Sequence, residues 1–325
     1  MVGPTRYRVL LADEIVPRGI EILAATEGLE VDDRAGIGAA ELAAVIGGYD
    51  ALIVRSRTKV TREVLEAATR LKVVGRAGVG VDNVDVDAAT RRGVAVLNSP
   101  GGNVISAAEH TFALMLALVR HIPRADASLR RGEWERKRFQ GIELHGKTLG
   151  LVGAGRIGSE VAKRARAFAM RVVAYDPYLS PERPDWLGFE LVTLPDLLGQ
   201  ADVVSIHVPL TDETRGLIGE AELALMKSTA YLVNAARGGV VDETALAAAL
   251  RSGRLAGAAL DVFEEEPVAP NNPLLALDNV VVVPHLGAAT REAQTGVGVE
   301  ICEAVRDALV KRDFRFAVNL PEFPT

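Results

Sequence analysis

The stretch Leu149-Gly150-Leu151-Val152-Gly153-Ala154-Gly155-Arg156-Ile157-Gly158 decides the fold of this 325-residue chain. It reads as a strand, then the glycine pattern G-x-G-x-x-G, then the beginning of a helix. Gly153 permits a tight turn, Gly155 lets the backbone approach a pyrophosphate, and Gly158 allows the helix to pack closely on the strand. The free amides at the helix N-terminus suit phosphate groups. The stretch therefore predicts a unit that binds a dinucleotide.

An acidic residue stands where such a unit needs one. The next predicted strand ends at Asp176, at the spacing of about 20 residues beyond the glycines that the motif requires. A carboxylate there accepts hydrogen bonds from the ribose hydroxyls of the adenosine and repels a 2′-phosphate, which favours NAD over NADP. Two alternatives stay open: a simple turn built from Asp176-Pro177, and an NADP site in which Arg156 accommodates the extra phosphate.

Short β-branched runs alternate with amphipathic helical stretches on both sides of this motif, which is typical of parallel sheets flanked by helices. Long helices are predicted at residues 103–119 and 290–311. We therefore expect an α/β fold with two Rossmann-like, doubly wound parallel-sheet domains. The inner domain, residues 101–288, binds NAD and is inserted into an outer, substrate-binding domain, residues 1–100 and 289–325.

The remaining elements of the two series are predicted as follows. The first series has strands at 9–12, 29–32, 51–54, 72–75 and 94–97, with helices at 18–25, 39–46, 62–68 and 84–92. The second series has strands at 149–152, 171–175, 203–207, 230–233, 256–260 and 280–283.

Composition and charge narrow the classes of function. The formal net charge of −6, without a long basic or acidic run, argues against nucleic-acid binding. Cys302 is the single cysteine, so an intrachain disulfide and a cysteine-built zinc site are excluded, and its apolar neighbours predict a packed thiol. Neither a secretory signal nor a membrane span is predicted. We expect a cytoplasmic protein.

Polar residues follow three predicted strands of the inner domain: Arg237, the carboxylates Glu264 to Glu266, and His285. Parallel sheets bind ligands at the carboxyl ends of their strands, so these residues should converge. An arginine can hold a substrate carboxylate in a bidentate fork. A histidine can exchange a hydroxyl proton, and a carboxylate on its other nitrogen fixes the tautomer. The set predicts hydride transfer between a 2-hydroxy or 2-oxo acid and a nicotinamide, without a metal.

Each of these residues also has a simpler explanation when it is taken alone. An arginine at a strand end is usually a surface residue, a glutamate-rich turn is usually solvated, and a histidine after a proline is often a packed loop residue. The order of the three segments, downstream of a dinucleotide motif, favours the catalytic interpretation.

The sequence resembles the D-2-hydroxyacid dehydrogenase family over essentially its whole length. The resemblance rests on residues 76–84, 153–158 with Asp176, 234–239, 259–267 and 284–288. It implies that Arg237, Glu266 and His285 are catalytic, with Glu264 and Glu265 as neighbours. It also implies contacts of the NAD cofactor with Gly153, Gly155, Arg156, Ile157, Gly158, Asp176, His207, Ala235 and Asp261.

Within the family, residues 106–109, 132–137, 144–148 and 284–294 are similar to the members that oxidise 3-phosphoglycerate to 3-phosphohydroxypyruvate for serine synthesis. The resemblance implies that Arg55, Arg57, Lys59 and Arg76 attract the substrate phosphate. The substrate carboxylate would then meet the backbone of Gly78, Val79 and Gly80 together with Arg237. The Gly78–Gly80 segment also follows a strand, but it lacks the third glycine of a dinucleotide motif.

Two other functions stay open. One is a glyoxylate or hydroxypyruvate reductase of the same family, and the other is an NAD-sensing binding protein of the corepressor type. We further expect a homodimer or larger homo-oligomer formed through the long apolar helix and the charged segment around Trp134, for which a solvated loop is the alternative. Hinges are expected near Pro100–Gly102 and Gly287–Thr290. Many relatives continue into serine-binding domains, whereas this chain stops at Thr325, so we expect no serine feedback.

Overall fold

The computed structural model of the chain describes residues 6–179 and 188–319. The chain divides into two compact units, Met1–Asn103 with Thr290–Thr325, and Val104–Ala289. The outermost ends of the predicted outer domain, including the chain end at Thr325, lie outside the described residues. Each unit is a parallel α/β structure, which confirms the predicted fold class.

The first unit is built on five parallel strands in the order β2-β1-β3-β4-β5. These strands are β1 (Tyr7–Leu11), β2 (Leu29–Asp33), β3 (Ala51–Val54), β4 (Val73–Arg76) and β5 (Ala95–Leu97). The connecting helices are α1 (Pro17–Ala24), α2 (Ala39–Val45), α3 (Arg62–Ala67) and α4 (Val86–Arg91), with a 3-10 turn at Ile46–Gly48. Strand β3 is buried throughout because helices cover both faces of the sheet, and its apolar sequence ALIV fits that position.

The second unit contains seven parallel strands in the order β12-β11-β10-β9-β6-β7-β8. Its strands are β6 (Thr148–Val152), β7 (Arg171–Tyr175), β8 (Glu190–Leu191), β9 (Val203–Ile206), β10 (Tyr231–Asn234), β11 (Gly257–Leu260) and β12 (Val280–Val282). Its helices are α5 (Val104–Val119), α6 (Ile122–Arg130), α7 (Arg156–Ala167), α8 (Leu194–Gln200), α9 (Glu220–Leu225) and α10 (Glu243–Arg251), with 3-10 turns at Arg136–Phe139 and Pro273–Ala276.

The strand order of the second unit reverses at β6. The chain proceeds from β6 to β7 in one direction and from β9 to β12 in the other. This reversal leaves a crevice at the carboxyl ends of β6 and β9, the place where open α/β sheets bind their ligands. The glycine motif and the predicted catalytic residues all follow strands at this edge.

The helix α11 (Arg291–Lys311) belongs to the first unit and packs against α1 and β4. The contact with β4 is close at Gly75, where a Cβ atom would lie 2.6 Å from Val305 Cγ2. Cys302 is buried on this helix, and burial raises the pKa of its thiol to about 12. The predicted packed thiol is confirmed. None of the helices in the described part of the chain is long and apolar enough to span a membrane.

Candidate active site

The glycine motif forms a loop that leaves the N-terminus of α7 open. Gly153 has a φ of +93° in the left-handed region, and a Cβ atom there would lie 2.8 Å from the His207 carbonyl. A Cβ atom at Gly158 would overlap the Gly153 carbonyl. Gly155 precedes α7 without a side-chain cap, and an added Cβ atom there would meet no described atom within 4 Å. Among the described residues, no side chain caps the N-terminus of α7, which suits a site for phosphate groups.

Asp176 lies at the end of β7 and braces the same loop. Its Oδ2 accepts a hydrogen bond from the Ala154 amide at 3.0 Å, and its Oδ1 accepts one from the Tyr178 amide at 3.1 Å. A carboxylate offers about four acceptor positions, so the two hydrogen bonds from described residues do not exhaust its capacity to accept from ribose hydroxyls. The bracing of the glycine loop was not predicted from the sequence.

His207 follows β9 directly below the glycine loop. Its amide donates to the Val152 carbonyl at 2.7 Å, and its Nε2 forms a 2.9 Å hydrogen bond with Ser205 Oγ. Burial lowers the pKa of His207 to about 4, so the ring is neutral at physiological pH. The ring is tied to the sheet through Ser205, and its contact with a cofactor stays a prediction.

His285 and Glu266, which the sequence separates by 19 positions, meet in the second unit. His285 Nδ1 donates to Glu266 Oε2 at 2.8 Å, and Glu266 Oε1 accepts from the Phe263 amide at 3.1 Å. Glu264 turns elsewhere, because its Oε1 accepts from the Glu243 amide at the start of α10. The structure therefore distinguishes Glu266, which contacts His285, from Glu264, which contacts Glu243. The sequence pattern alone could not distinguish them.

Asp261 anchors the loop that carries His285. The carboxylate is fully buried, accepts from the amides of Leu286 and Gly287, and lies 3.1 Å from His110 Nε2. Burial would raise the pKa of Asp261, but the His110 contact and the two amides outweigh it and lower the pKa. Asp261 was predicted as a cofactor contact. His110 was not predicted, although a polar residue within an apolar helix was the available signal.

Arg237 lies on the loop after β10, next to the loop that carries Glu266. Its Nη1 donates to the Ala236 carbonyl at 2.6 Å, and its own carbonyl accepts from Asn234 Nδ2 at 2.9 Å. A Cβ atom at Gly238 would overlap the Phe263 carbonyl, so the two loops pack backbone against backbone. The partly buried Ala235 lies between Asn234 and Arg237 in the same turn.

The residues predicted to bind substrate lie in the first unit. Arg57 is paired with the buried Asp13, from Nε to Oδ1 at 3.1 Å, while the Arg55 amide donates to the same carboxylate at 2.6 Å. Gly78 has a φ of +146°, and a Cβ atom there would overlap the Arg76 guanidinium. The Val79 carbonyl accepts from Asn98 Nδ2 at 2.7 Å. The neutralisation of Arg57 by Asp13 was not predicted.

Comparisons with known proteins identify the family to which this chain belongs. The family model described as "D-isomer specific 2-hydroxyacid dehydrogenase, NAD binding domain" matches residues 112–287. The chain belongs to this family. Residues 112–287 form its NAD-binding domain, which confirms NAD as the cofactor predicted from the glycine motif and Asp176.

Curated relatives and solved structures extend the match to nearly the whole chain. The D-3-phosphoglycerate dehydrogenases of Archaeoglobus fulgidus and Methanocaldococcus jannaschii are 53% and 51% identical to it, over 97% and 98% of its length. The chain spans 59% and 60% of the length of these two proteins. A glyoxylate reductase structure from Paecilomyes thermophila superposes with a TM-score of 0.87 at 34% identity, covering 97% of this chain and 98% of that one.

Proposed function

We propose that the chain oxidises 3-phosphoglycerate to 3-phosphohydroxypyruvate with NAD, the step that leads to serine synthesis. The observation that carries the proposal is the 2.8 Å contact between His285 and Glu266 at the carboxyl edge of an NAD-binding domain. The phosphorylated substrate is supported by relatives that are about half identical and are named D-3-phosphoglycerate dehydrogenase.

His285 is proposed as the group that exchanges the substrate hydroxyl proton. Its Nδ1 is engaged by Glu266, so the proton passes through Nε2. Glu266 holds the ring in one tautomer and stabilises the imidazolium that forms when the hydroxyl proton is taken. Arg237 is proposed to hold the substrate carboxylate in a bidentate fork and to polarise the oxo group.

The residues around the glycine loop fit an NAD molecule. The open N-terminus of α7 suits its pyrophosphate, and the carboxylate of Asp176 suits the adenosine ribose. The proposed contact set is Gly153, Gly155, Arg156, Ile157, Gly158, Asp176, His207, Ala235 and Asp261. When bound, the nicotinamide supplies the hydride acceptor, so the chain has to supply orientation and proton transfer.

The first unit is proposed to bind the substrate. Arg55, Arg76 and the Gly78–Gly80 backbone are the proposed contacts, with Arg55 and Arg76 attracting the phosphate. The pairing of Arg57 with Asp13 leaves Arg57 as a support of this loop rather than a free cation. The proposed domain roles follow: residues 101–288 bind NAD, and residues 1–100 with 289–325 bind the acid.

The chain is also proposed to act in the cytoplasm as a homodimer. Apolar side chains are exposed along α6 and the segment that follows it: Ile122 at 54%, Leu129 at 56% and Trp134 at 77%. A surface of this kind is typical of a site that another protein covers. Light scattering should then give about twice the monomer mass, and a monomer would contradict the dimer without affecting the proposed reaction.

A second candidate is a glyoxylate or hydroxypyruvate reductase, which the superposition on a glyoxylate reductase favours. The same histidine, glutamate and arginine would serve it, so the substrate decides. The test measures kcat/KM for 3-phosphoglycerate, glycerate and lactate with NAD and with NADP, and for glyoxylate and hydroxypyruvate in reduction.

The proposal requires a clear kcat/KM advantage for the phosphorylated acid. Equal values for glycerate would overturn 3-phosphoglycerate as the substrate and favour the reductase. The variant His285→Asn should lose at least about 100-fold in kcat, the effect typical of general acid–base catalysis. Retained activity in that variant would remove the proton-transfer role of His285.

A further inference from the structure

Three backbone amides of the loop after β12 donate hydrogen bonds to a single residue, Asp261. The carboxylate of Asp261 accepts from the Leu286 amide at 2.6 Å and from the Gly287 amide at 2.9 Å. The backbone carbonyl of Asp261 accepts from the His285 amide at 2.8 Å. Asp261 therefore fixes the backbone on which the His285 ring is mounted.

The loop needs such an anchor because the backbone of His285 is strained. Its φ is +54°, in the left-handed region that residues other than glycine rarely adopt. A conformation of this kind is unfavourable for a residue with a side chain and persists where the surroundings impose it. Hydrogen bonds to an ionised carboxylate are stronger than those to a neutral acid, so the hold depends on the charge of Asp261.

His110 reaches the same carboxylate from helix α5. Its Nε2 lies 3.1 Å from Asp261 Oδ1, and the side chain is 19% exposed. The nitrogen is buried and has no aligned hydrogen-bond partner among the described residues, although the carboxylate is within reach. Burying a polar nitrogen without a partner is costly, which favours the contact of Nε2 with the Asp261 carboxylate.

We propose that His110 is a positioning residue for His285. It keeps the Asp261 carboxylate charged and in place, and the carboxylate then holds the Leu286–Gly287 turn and the direction of the His285 ring. His110 exchanges no proton with the substrate. The kinetic consequence of this arrangement rests on the proposed function, whereas the structural consequence does not.

The hold of Asp261 on the His285 loop should depend on pH in one direction. Among the titratable and charged side chains, His110 on α5 contacts the Asp261 carboxylate, while Arg237, Glu266 and His285 stand on the loops after the neighbouring strands β10, β11 and β12. Because the pKa of Asp261 is lowered, its hold on the loop is present above the ordinary range of an aspartate and is lost as pH falls through the lowered pKa. Removing the imidazole leaves the burial in place, so the loop should be released at a higher pH.

Two substitutions of His110 test whether the contact of Nε2 with Asp261 matters, or only the volume of the side chain. His110→Gln places an amide nitrogen near the position of Nε2, whereas His110→Asn places it near Nδ1, out of reach of Asp261. Glu109→Gln, at an exposed neighbour that pairs with Arg164, is the control on the same helix. We expect His110→Asn to lower kcat/KM by about tenfold or more, since a displacement of about 1 Å can cost about 100-fold. The acid limb of its pH profile should move to higher pH, and His110→Gln should restore most of both.

The amides of Leu286 and Gly287 give a readout that does not need activity. Their proton and nitrogen chemical shifts are followed as pH is lowered, in the full chain without substrate. In the wild type and in His110→Gln, both amides should keep their shifts to lower pH than in His110→Asn. If the wild type proves inactive on every acid tested, the proposed function fails while this titration still decides the role of His110.

Superimposable amide titrations in all four proteins would overturn the positioning role. An equal loss of activity in His110→Asn and His110→Gln, without a shift of the pH profile, would also overturn it and would reduce His110 to a packing residue. If His110→Asn does not fold, His110→Gln against the wild type and Glu109→Gln decides: an altered amide titration would then contradict the proposal.

Discussion

Asp176 combines two tasks that can be separated by one substitution. It braces the glycine loop through the Ala154 amide, and it carries the charge that should exclude a 2′-phosphate. Asp176→Asn keeps an oxygen for the Ala154 amide but removes the charge. We expect the ratio of kcat/KM for NAD over NADP to fall by about tenfold or more, which corresponds to about 1.4 kcal/mol. The measurement is steady-state kinetics with both cofactors.

The control for this change is Asp196→Asn, at an exposed carboxylate in the first turn of α8. That variant should leave the cofactor preference unchanged. A preference for NAD that survives in Asp176→Asn would show that the shape of the loop, and not the charge, excludes NADP.

At the scale of single residues, the sequence predicted those residues that stand in a recognisable local motif. Gly153, Gly158 and Asp176 stand in a motif with fixed spacing, and the structure places them around one crevice edge. Glu266 could not be separated from its acidic neighbours by pattern, because the distinction lies in which glutamate reaches His285 across 19 positions. His110 escaped prediction since its partner, Asp261, lies far along the chain.

The segment before α5 shows how elements are joined in the first unit. Glu300 on α11 accepts hydrogen bonds from the amides of Gly101 and Gly102, both at 3.1 Å to Oε2. Ser99 Oγ donates to the Val297 carbonyl at 3.0 Å. A Cβ atom at Gly296 would lie 2.8 Å from the Gly102 carbonyl, so the segment and the helix touch backbone to backbone. The hinge expected at Pro100–Gly102 stays a prediction, and this contact ties the segment to α11.

Removing the acceptor should loosen this connection. Glu300→Ala leaves two amides without their partner, and we expect the free energy of unfolding to fall by about 1–2 kcal/mol. Glu300→Gln keeps one neutral acceptor oxygen and should lose less. Urea unfolding followed by circular dichroism measures the difference. The exposed Glu303, one turn further along α11, is the control, and Glu303→Ala should stay within about 0.5 kcal/mol of the wild type.

Elements were predicted where the apolar pattern was long enough to show a period. The strand expected at 51–54 is β3, and the helix expected at 290–311 is α11 with Thr290 as its N-cap. Strand β8 was not predicted because two residues carry no period, and it pairs only at the edge of the sheet beside β7. Element ends moved by one or two residues, since capping contacts such as Ala293 N to Thr290 Oγ1 decide them.

Across the whole molecule, each unit contains a buried or partly buried carboxylate that the folded state keeps charged. In the first unit, burial would raise the pKa of Asp13, but hydrogen bonds from the Arg55 amide, Thr58 and Arg57 lower it. In the second unit, burial would likewise raise the pKa of Asp202, but hydrogen bonds from the Thr148 amide and Lys227 lower it. Both groups thus couple the stability of their unit to pH.

These shifts predict an acid transition with two windows. His207, whose pKa is lowered by burial from 6.5 to about 4, takes up a proton in the unfolded chain first, so stability should begin to fall as pH drops below 6.5. Asp13 and Asp202 contribute stability above the ordinary aspartate value of about 3.9, which is lost as pH falls through their lowered pKa values. Urea midpoints measured from about pH 7 to pH 3 should therefore fall gently and then steeply.

Asp13→Asn should be less stable than the wild type at neutral pH, and its stability should fall less than that of the wild type below about pH 4. Parallel curves for that variant and the wild type would mean that Asp13 titrates alike in the folded and unfolded chain, which its four hydrogen bonds argue against.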